Sequence, residues 1–298
     1  MKLKTIFQES IQIVWQNPIL WLLGFFTALF ANNEINLIII NFKRINNWID
    51  QLITFKVLQI QWQQTLSNLD SGQIFTSTGI YYIIAALIFI LLFLVLAFLA
   101  QIIIISSIKN IKKKNFSFTA NFKKNKKFFW PVFSLYLIIF LITYGFLTFL
   151  NSSFLYQISI PIFIYIIFYL FIIFILSFIL RFIIFFIILE KEKFLSAIKK
   201  GVIFFFKNWS ITIKTSLALF LITILFALGL FLIYLGTALP FLLLLILTLQ
   251  LNFIIGFWLI IVFWTFILGI LFLVLSSIFS SFQFSAWILL FLKLRKLS

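Results

Sequence analysis

The segment Lys109–Lys127 holds eight lysines, at 109, 112, 113, 114, 123, 124, 126 and 127, and no acidic residue. It is flanked by two long runs without a charge, Ser71–Ile108 and Phe128–Leu180. Each run exceeds the roughly 20 apolar residues that a helix needs to cross a bilayer. Lys and Arg concentrate in cytoplasmic loops. A cationic loop between two such runs therefore predicts a multi-pass membrane protein with this loop on the cytoplasmic side. A water-soluble fold does not fit: of 298 residues, 64% are hydrophobic and 10% charged, against about half and a quarter in soluble domains.

The same composition narrows the chemistry. The chain has no Cys and no His, which removes disulfides, thiolate nucleophiles, imidazole bases and the common zinc sites. No G-x-x-x-x-G-K-[ST] string occurs, so no phosphate-binding loop energises the chain. The six acids are scattered and none falls within an expected span, which argues against proton- or sodium-coupled transport and against carboxylate catalysis. The expectation is a non-enzymatic protein without a cofactor or metal. The net charge of +17 is accounted for by the cytoplasmic bias of Lys and Arg rather than by nucleic acid. Met1-Lys2-Leu3-Lys4 resembles a signal n-region, but Gln8, Glu9, Gln12 and Gln16 interrupt the apolar core that should come next, so no cleaved signal is expected.

Read in order, Lys2–Gln16 predicts an amphipathic helix with Leu3, Phe7, Ile11 and Val14 on one face. Asn17-Pro18 suits the start of a second helix, Asn as N-cap and Pro at the first position. Ile19–Ala31 is the first crossing, and it is short. Asn36–Asp70 reads as one or two helices lying on the outer face, succeeded by a polar linker, Ser71–Gly79. The next crossings are Ile80–Ile108, Phe128–Leu150 and Pro161–Leu189, the last two separated by a short outer loop at 151–160. Lys191–Lys214 is cytoplasmic, with Lys193, Lys200 and Lys207 forming one stripe of an interfacial helix; Asn208 caps the next span, about Ser210–Leu235. Gly236–Pro240 reads as a turn, and one further crossing, about Phe253–Leu275, is expected with interfacial helices on either side.

This gives an all-α integral membrane bundle of six transmembrane helices in one domain, 1–298, with both termini cytoplasmic. On this map 20 of the 23 cations lie inside, the inner side nets +17 and the outer side balances to zero. The spans group into three hairpins, 1–109, 110–190 and 191–298, which suggests an internal repeat. Near the end of each hairpin one long polar residue precedes the basic run by eight to ten positions: Gln101, Arg181 and Gln283. Two readings of these residues stand. They converge as a polar floor that holds an anionic headgroup, or Arg181 lies at interfacial depth and snorkels to water.

The layout of amphipathic elbow, Asn17-Pro18, then Leu20-Trp21-Leu22-Leu23-Gly24-Phe25-Phe26, with Ala197, Gly201 and Asn208-Trp209 leading into the fifth span, resembles a group of uncharacterised bacterial six-span proteins. These are similar to the membrane domain found beside glycerophosphoryl diester phosphodiesterase catalytic domains. The resemblance implies a bacterial cytoplasmic membrane and lipid-linked work. The catalytic domain has no counterpart here, so hydrolysis does not carry over.

Two functions are expected on these grounds. One is a module that binds lipid-like or amphipathic molecules, or serves as a transport component, with anionic lipid gathered at its cytoplasmic face. The other is an assembly subunit that docks a protein partner through its inner amphipathic helices. The topology itself is directly testable, because the chain lacks cysteine. A single Ser117→Cys should react with an impermeant maleimide only after the cell is opened; labelling of intact spheroplasts would refute the orientation.

Overall fold

The computed structural model describes residues 3–30, 77–112, 118–150, 162–250 and 254–297, all in helices or the short turns joining them. The expected outer-face helices of Asn36–Asp70 and the outer loop at 151–160 lie outside the described residues. In chain order the helices are α1 (Leu3–Gln16), α2 (Ile19–Phe30), α3 (Ser77–Lys112), α4 (Phe118–Asn125), α5 (Phe129–Leu150), α6 (Ile162–Leu189), α7 (Phe194–Lys207), α8 (Trp209–Gln250) and α9 (Ile254–Leu297). A short 3-10 turn, Lys126–Phe128, joins α4 to α5. Among the described residues five helical stretches are long and apolar enough to cross a membrane, and α2 contributes a shorter apolar one.

Three helices, α3, α6 and α9, pack against one another at the centre. Each carries an amphipathic elbow helix: α4 lies on α3, α7 on α6, and α1 on α9. The first helix of the chain is thereby held on the last. α2 packs between α9 and α3, and α5 between α3 and α6, while α8 runs beside α9.

The elbow on α9 buries Ile6, Ser10 and Val14, with Leu3, Phe7 and Ile13 packed alongside. Ile11, expected on the buried face, is exposed. The reason is the pitch of 3.6 residues: Ile6, Ser10, Ile13 and Val14 form the stripe under which α9 passes. The two expected N-caps also differ. The Asn17 side chain turns back and donates to the Ile13 carbonyl at 2.7 Å, and the Asn208 side chain donates to the Phe204 carbonyl at 3.0 Å. Each closes the C-terminal end of the elbow it leaves, where carbonyls lack intrahelical partners. Asn125 does the same at the end of α4, donating to the Asn121 carbonyl at 2.8 Å.

Close approach is made through small residues. At Gly24 a Cβ would collide with the Ser277 carbonyl and the Ser281 hydroxyl; at Gly201 it would lie 2.5 Å from Ile183 Cγ1. The hydroxyls of Ser277 and Ser281 donate to the carbonyls of Trp21 and Leu20, the second at 2.6 Å, and Thr27 bonds Ser280 at 3.0 Å. Membrane helices associate by this kind of close packing and interhelical hydrogen bonding, because lipid supplies no hydrophobic drive between them. Gly145, Gly229 and Gly269 meet nothing within 4 Å.

The core is concentrated where elbows meet inner helices, over Ile102–Ile108, Phe182–Leu189 and Ala286–Phe291. Phe186 and Phe204 lie 5.1 Å and 5.2 Å from Phe291, the first edge-on, and Phe182 meets Phe204 at 5.1 Å. Away from this end the helices expose apolar side chains, among them Ile88, Leu91, Leu225, Leu243 and Phe266, as segments in contact with lipid do.

The expected turn at Gly236–Pro240 is not a turn. α8 runs unbroken for 42 residues with Pro240 inside it, and α9 runs for 44, replacing the expected short span with separate interfacial helices. Pro240 removes the amide that would bond the Gly236 carbonyl, but membrane helices tolerate such residues where neighbours support them. Here Phe241, just past Pro240, and Tyr234, before it, both stack on Trp264 at 5.6 Å. At about 1.5 Å per residue the two helices are ~63 and ~66 Å long, about twice the hydrocarbon thickness.

Substitution at the tight glycines should report this packing. Gly24→Val should lower the melting temperature sharply, by the equivalent of about 2–3 kcal/mol or more for a clash with backbone. Gly145→Ala should change stability by no more than about 1 kcal/mol. Thermal unfolding of detergent-purified variants measures both, and equal effects would refute the α2–α9 contact.

Candidate functional site

Two cavities and one charged end stand out among the described residues. The first cavity lies among the inner helices. Gln101 on α3 is buried, and its Nε2 donates to the Tyr136 hydroxyl on α5 at 2.7 Å. Arg181 on α6 is half-buried, with its guanidinium carbon 4.3 Å from the centroid of the Trp287 ring on α9. That is well within the ~6 Å over which a ring face attracts a cation. Gln101, Tyr136 and Arg181, with Ile105 and Phe284, bound a cavity of about 20 Å³. That volume holds about one water, so a phosphate-sized headgroup does not fit beside these side chains as they stand.

Of the three long polar residues, Gln101 and Arg181 come together and Gln283 does not join them. Its Nε2 donates to the Thr223 hydroxyl on α8 at 3.0 Å. Successive residues of a helix point about 100° apart, and on α9 it is Phe284, one position further on, that faces the cavity. Tyr136 and Trp287 complete this site, and nothing in the sequence sets them apart. Both are aromatic residues in aromatic-rich runs, and only the packing register of α5 and α9 singles them out.

The second cavity is larger and apolar. It occupies about 450 Å³ between α2 and α9, partly open, lined by Phe25, Ala28, Gly269, Phe272, Leu273 and Ser276. Gly269 leaves room because nothing stands within 4 Å of where its Cβ would be.

The charged end is where the C-termini of α3, α6 and α9 meet the elbows. Lys293 pairs with Glu9 at 2.7 Å, Arg295 with Glu190 at 2.8 Å, and Lys200 with Glu192. The Lys109 ammonium donates to the Leu189 carbonyl, at the negative end of the α6 dipole. These pairs tie the first and last helices and the inner trio together at one level. The Lys200 ammonium and the Ser196 hydroxyl, both bonded to the Glu192 carboxylate, hold its pKa below the ordinary carboxylate value. The contribution of this contact is present above the ordinary carboxylate range and is lost as pH falls through the lowered value. Trp15, Trp130 and Trp209 stand at the junctions of elbow and span, 67%, 71% and 58% exposed.

Among the described residues no group of three His, Cys, Asp or Glu side chains is placed to hold a metal ion. The long apolar helices make this an integral membrane helical bundle. No family model matches the chain, and neither the curated proteins nor the solved structures include a match to it.

The Arg181 site makes a prediction of unequal costs. Trp287→Ala should destabilise by about 3–5 kcal/mol, as removal of a buried Trp does. Arg181→Met, which keeps a long apolar stem over the ring, should cost far less and leave the co-purified lipids unchanged. Loss of a specific lipid from the Arg181→Met protein by native mass spectrometry would reverse that assignment.

Proposed function

We propose that this chain is a non-enzymatic six-span module of the bacterial cytoplasmic membrane that accommodates a lipid-like or amphipathic molecule, alone or as a transport component. The observation that carries this reading is the cavity between α2 and α9. Its ~450 Å³ lies within the range of small-molecule sites, and five of its six lining residues are apolar or glycine, with one hydroxyl at Ser276. Such a lining accepts an acyl chain or another apolar tail and excludes a charged group. Counting α2 with the five longer helices gives six crossings, an even number, so both termini face the same side. The lysine bias makes that side the cytoplasm. This assignment is in keeping with the resemblance to the phosphodiesterase-associated membrane domain.

The three-hairpin repeat draws support from the elbows. Each ends in an asparagine that donates to the carbonyl four residues back, at 17, 125 and 208. Each packs on one of the three inner helices, all of which touch one another. In this arrangement every hairpin contributes one elbow, one outer and one inner helix; α4 and α7 each lie on the inner helix of the preceding hairpin, and α1 closes the set by lying on α9.

A second reading, an assembly subunit that docks a protein through its elbows, is favoured by the filled inner core and by Leu195, Ile203 and Phe206, which stand exposed on α7. The groove separates the two. Gly269→Trp places an indole in open space, so it should leave the melting temperature unchanged and lower retention of a nitroxide-labelled fatty acid at least fivefold, read by electron paramagnetic resonance. Unchanged retention would overturn the lipid-binding reading and leave the docking one.

A further inference from the structure

We propose that the end of the bundle formed by the three elbows is a collar for anionic phospholipid headgroups, to which each elbow brings an exposed tryptophan and at least one exposed lysine. The proposal does not rest on the groove between α2 and α9, which concerns apolar tails.

Each elbow has its own tryptophan. Trp15 lies two residues before Asn17, Trp130 five after Asn125 and Trp209 one after Asn208. The elbows pack on the C-terminal ends of α3, α6 and α9, so the three rings mark one end of the bundle. All three are more than half exposed. An indole with an apolar body and one N–H donor is best placed at headgroup level, and tryptophan is enriched there.

Exposed lysines lie on or next to the same elbows. Lys123, Lys124, Lys126 and Lys127 around the second elbow, Lys199, Lys207 and Lys214 around the third, and Lys4 on the first are all exposed. The acids described at this end, Glu9, Glu190 and Glu192, are taken up by Lys293, Arg295 and Lys200. The exposed lysines face outward with none of these acids set against them. Lysine stems lie along apolar surface while the ammonium reaches the phosphate layer.

What identifies the occupant is the order of these bands along the bundle. Exposed Leu137 and Phe140 come after Trp130, and exposed Leu217, Phe220 and Leu221 after Trp209. Lys127, Trp130, then apolar side chains on the second elbow, and Lys207, Trp209, then apolar side chains on the third, repeat the order of a leaflet: phosphate, glycerol, acyl chain. Lys214, past Trp209, has a stem long enough to reach back toward the phosphate layer. An acidic protein or a nucleic acid would match the lysines and leave the rings and the apolar band in water.

The experiment uses the full chain, delipidated in detergent and equilibrated with equal phosphatidylglycerol and phosphatidylcholine, with bound lipid read by native mass spectrometry. The expected result is at least tenfold preference for phosphatidylglycerol, since each surface lysine favours anionic lipid by roughly fivefold, with much of the preference lost at high salt. The variant Lys123→Gln/Lys124→Gln/Lys207→Gln/Lys214→Gln, changed only at exposed positions, should keep its helix content and melting temperature and lose most of the preference. Equal retention of the two lipids by the native chain would overturn the proposal, as would an undiminished preference in the folded quadruple variant. A second readout guards against poor folding of variants: in the native chain, phosphatidylglycerol brominated near the headgroup should quench tryptophan emission more than the same lipid brominated at the chain end. The opposite ranking would also overturn the collar.

Discussion

The architecture depends on how closely α2 can approach α9. Gly24 presents bare backbone to Ser277 and Ser281, and the two serine hydroxyls bond carbonyls at the start of α2. A single methyl at position 24 would force these helices apart. With α2 displaced, α1 would lose its bed on α9, and the Glu9–Lys293 pair would lose its geometry. Lipid tails are as apolar as leucine, so nothing but fit and hydrogen bonding favours one helix pairing over another inside the bilayer. Fit at a glycine is therefore where a chain this uniform in hydrophobicity acquires a specific shape.

The two ends of the bundle obey different physics. At the elbow end, buried rings of Phe182, Phe186, Phe204 and Phe291 interlock at aromatic-contact distances, and ion pairs tie helices that are remote in sequence. This is a core of the kind found in soluble domains, sealed to a water-sized cavity at Arg181. Towards the other end the helices expose leucines and isoleucines, and a groove opens between α2 and α9. The stiff end positions the helices, and the open end offers surface to lipid.

Much of the architecture is legible in the sequence because it rests on periodicity and charge, which are local. The basic stretch at 109–127, the amphipathic α1 and α7, and the helix beginning beside Asn208 can all be taken from residue order. Three features cannot. Gly236–Pro240 has the composition of a turn, yet the helix continues, because Trp264 on the neighbouring helix stacks on both sides of the break. Asn17 and Asn208 have the residue type and position of N-caps for α2 and α8, yet their amides close the ends of α1 and α7; Asn125 closes α4 in the same way, beside the more conspicuous Trp130-Pro131. Gln283 parts from Gln101 and Arg181 because rotation about a helix axis is set by partners, which hydropathy does not encode. Tyr136 and Trp287 are hidden for the same reason.

The placement of α1 and α2 on α9 also bears on how the protein is made. Trp21 and Ser277 are 256 residues apart in the chain, so at about 5–20 residues synthesised per second the glycine face of α2 waits on the order of 10–50 s for its partner on α9. During that time the serine-bonding carbonyls and the glycine face of α2 have no native neighbour. α2 can meet α3 early, but α1 and the face of α2 turned to α9 find their place only late, and a nascent chain stalled before α9 would display that unmatched face to the insertion machinery and to quality-control proteases.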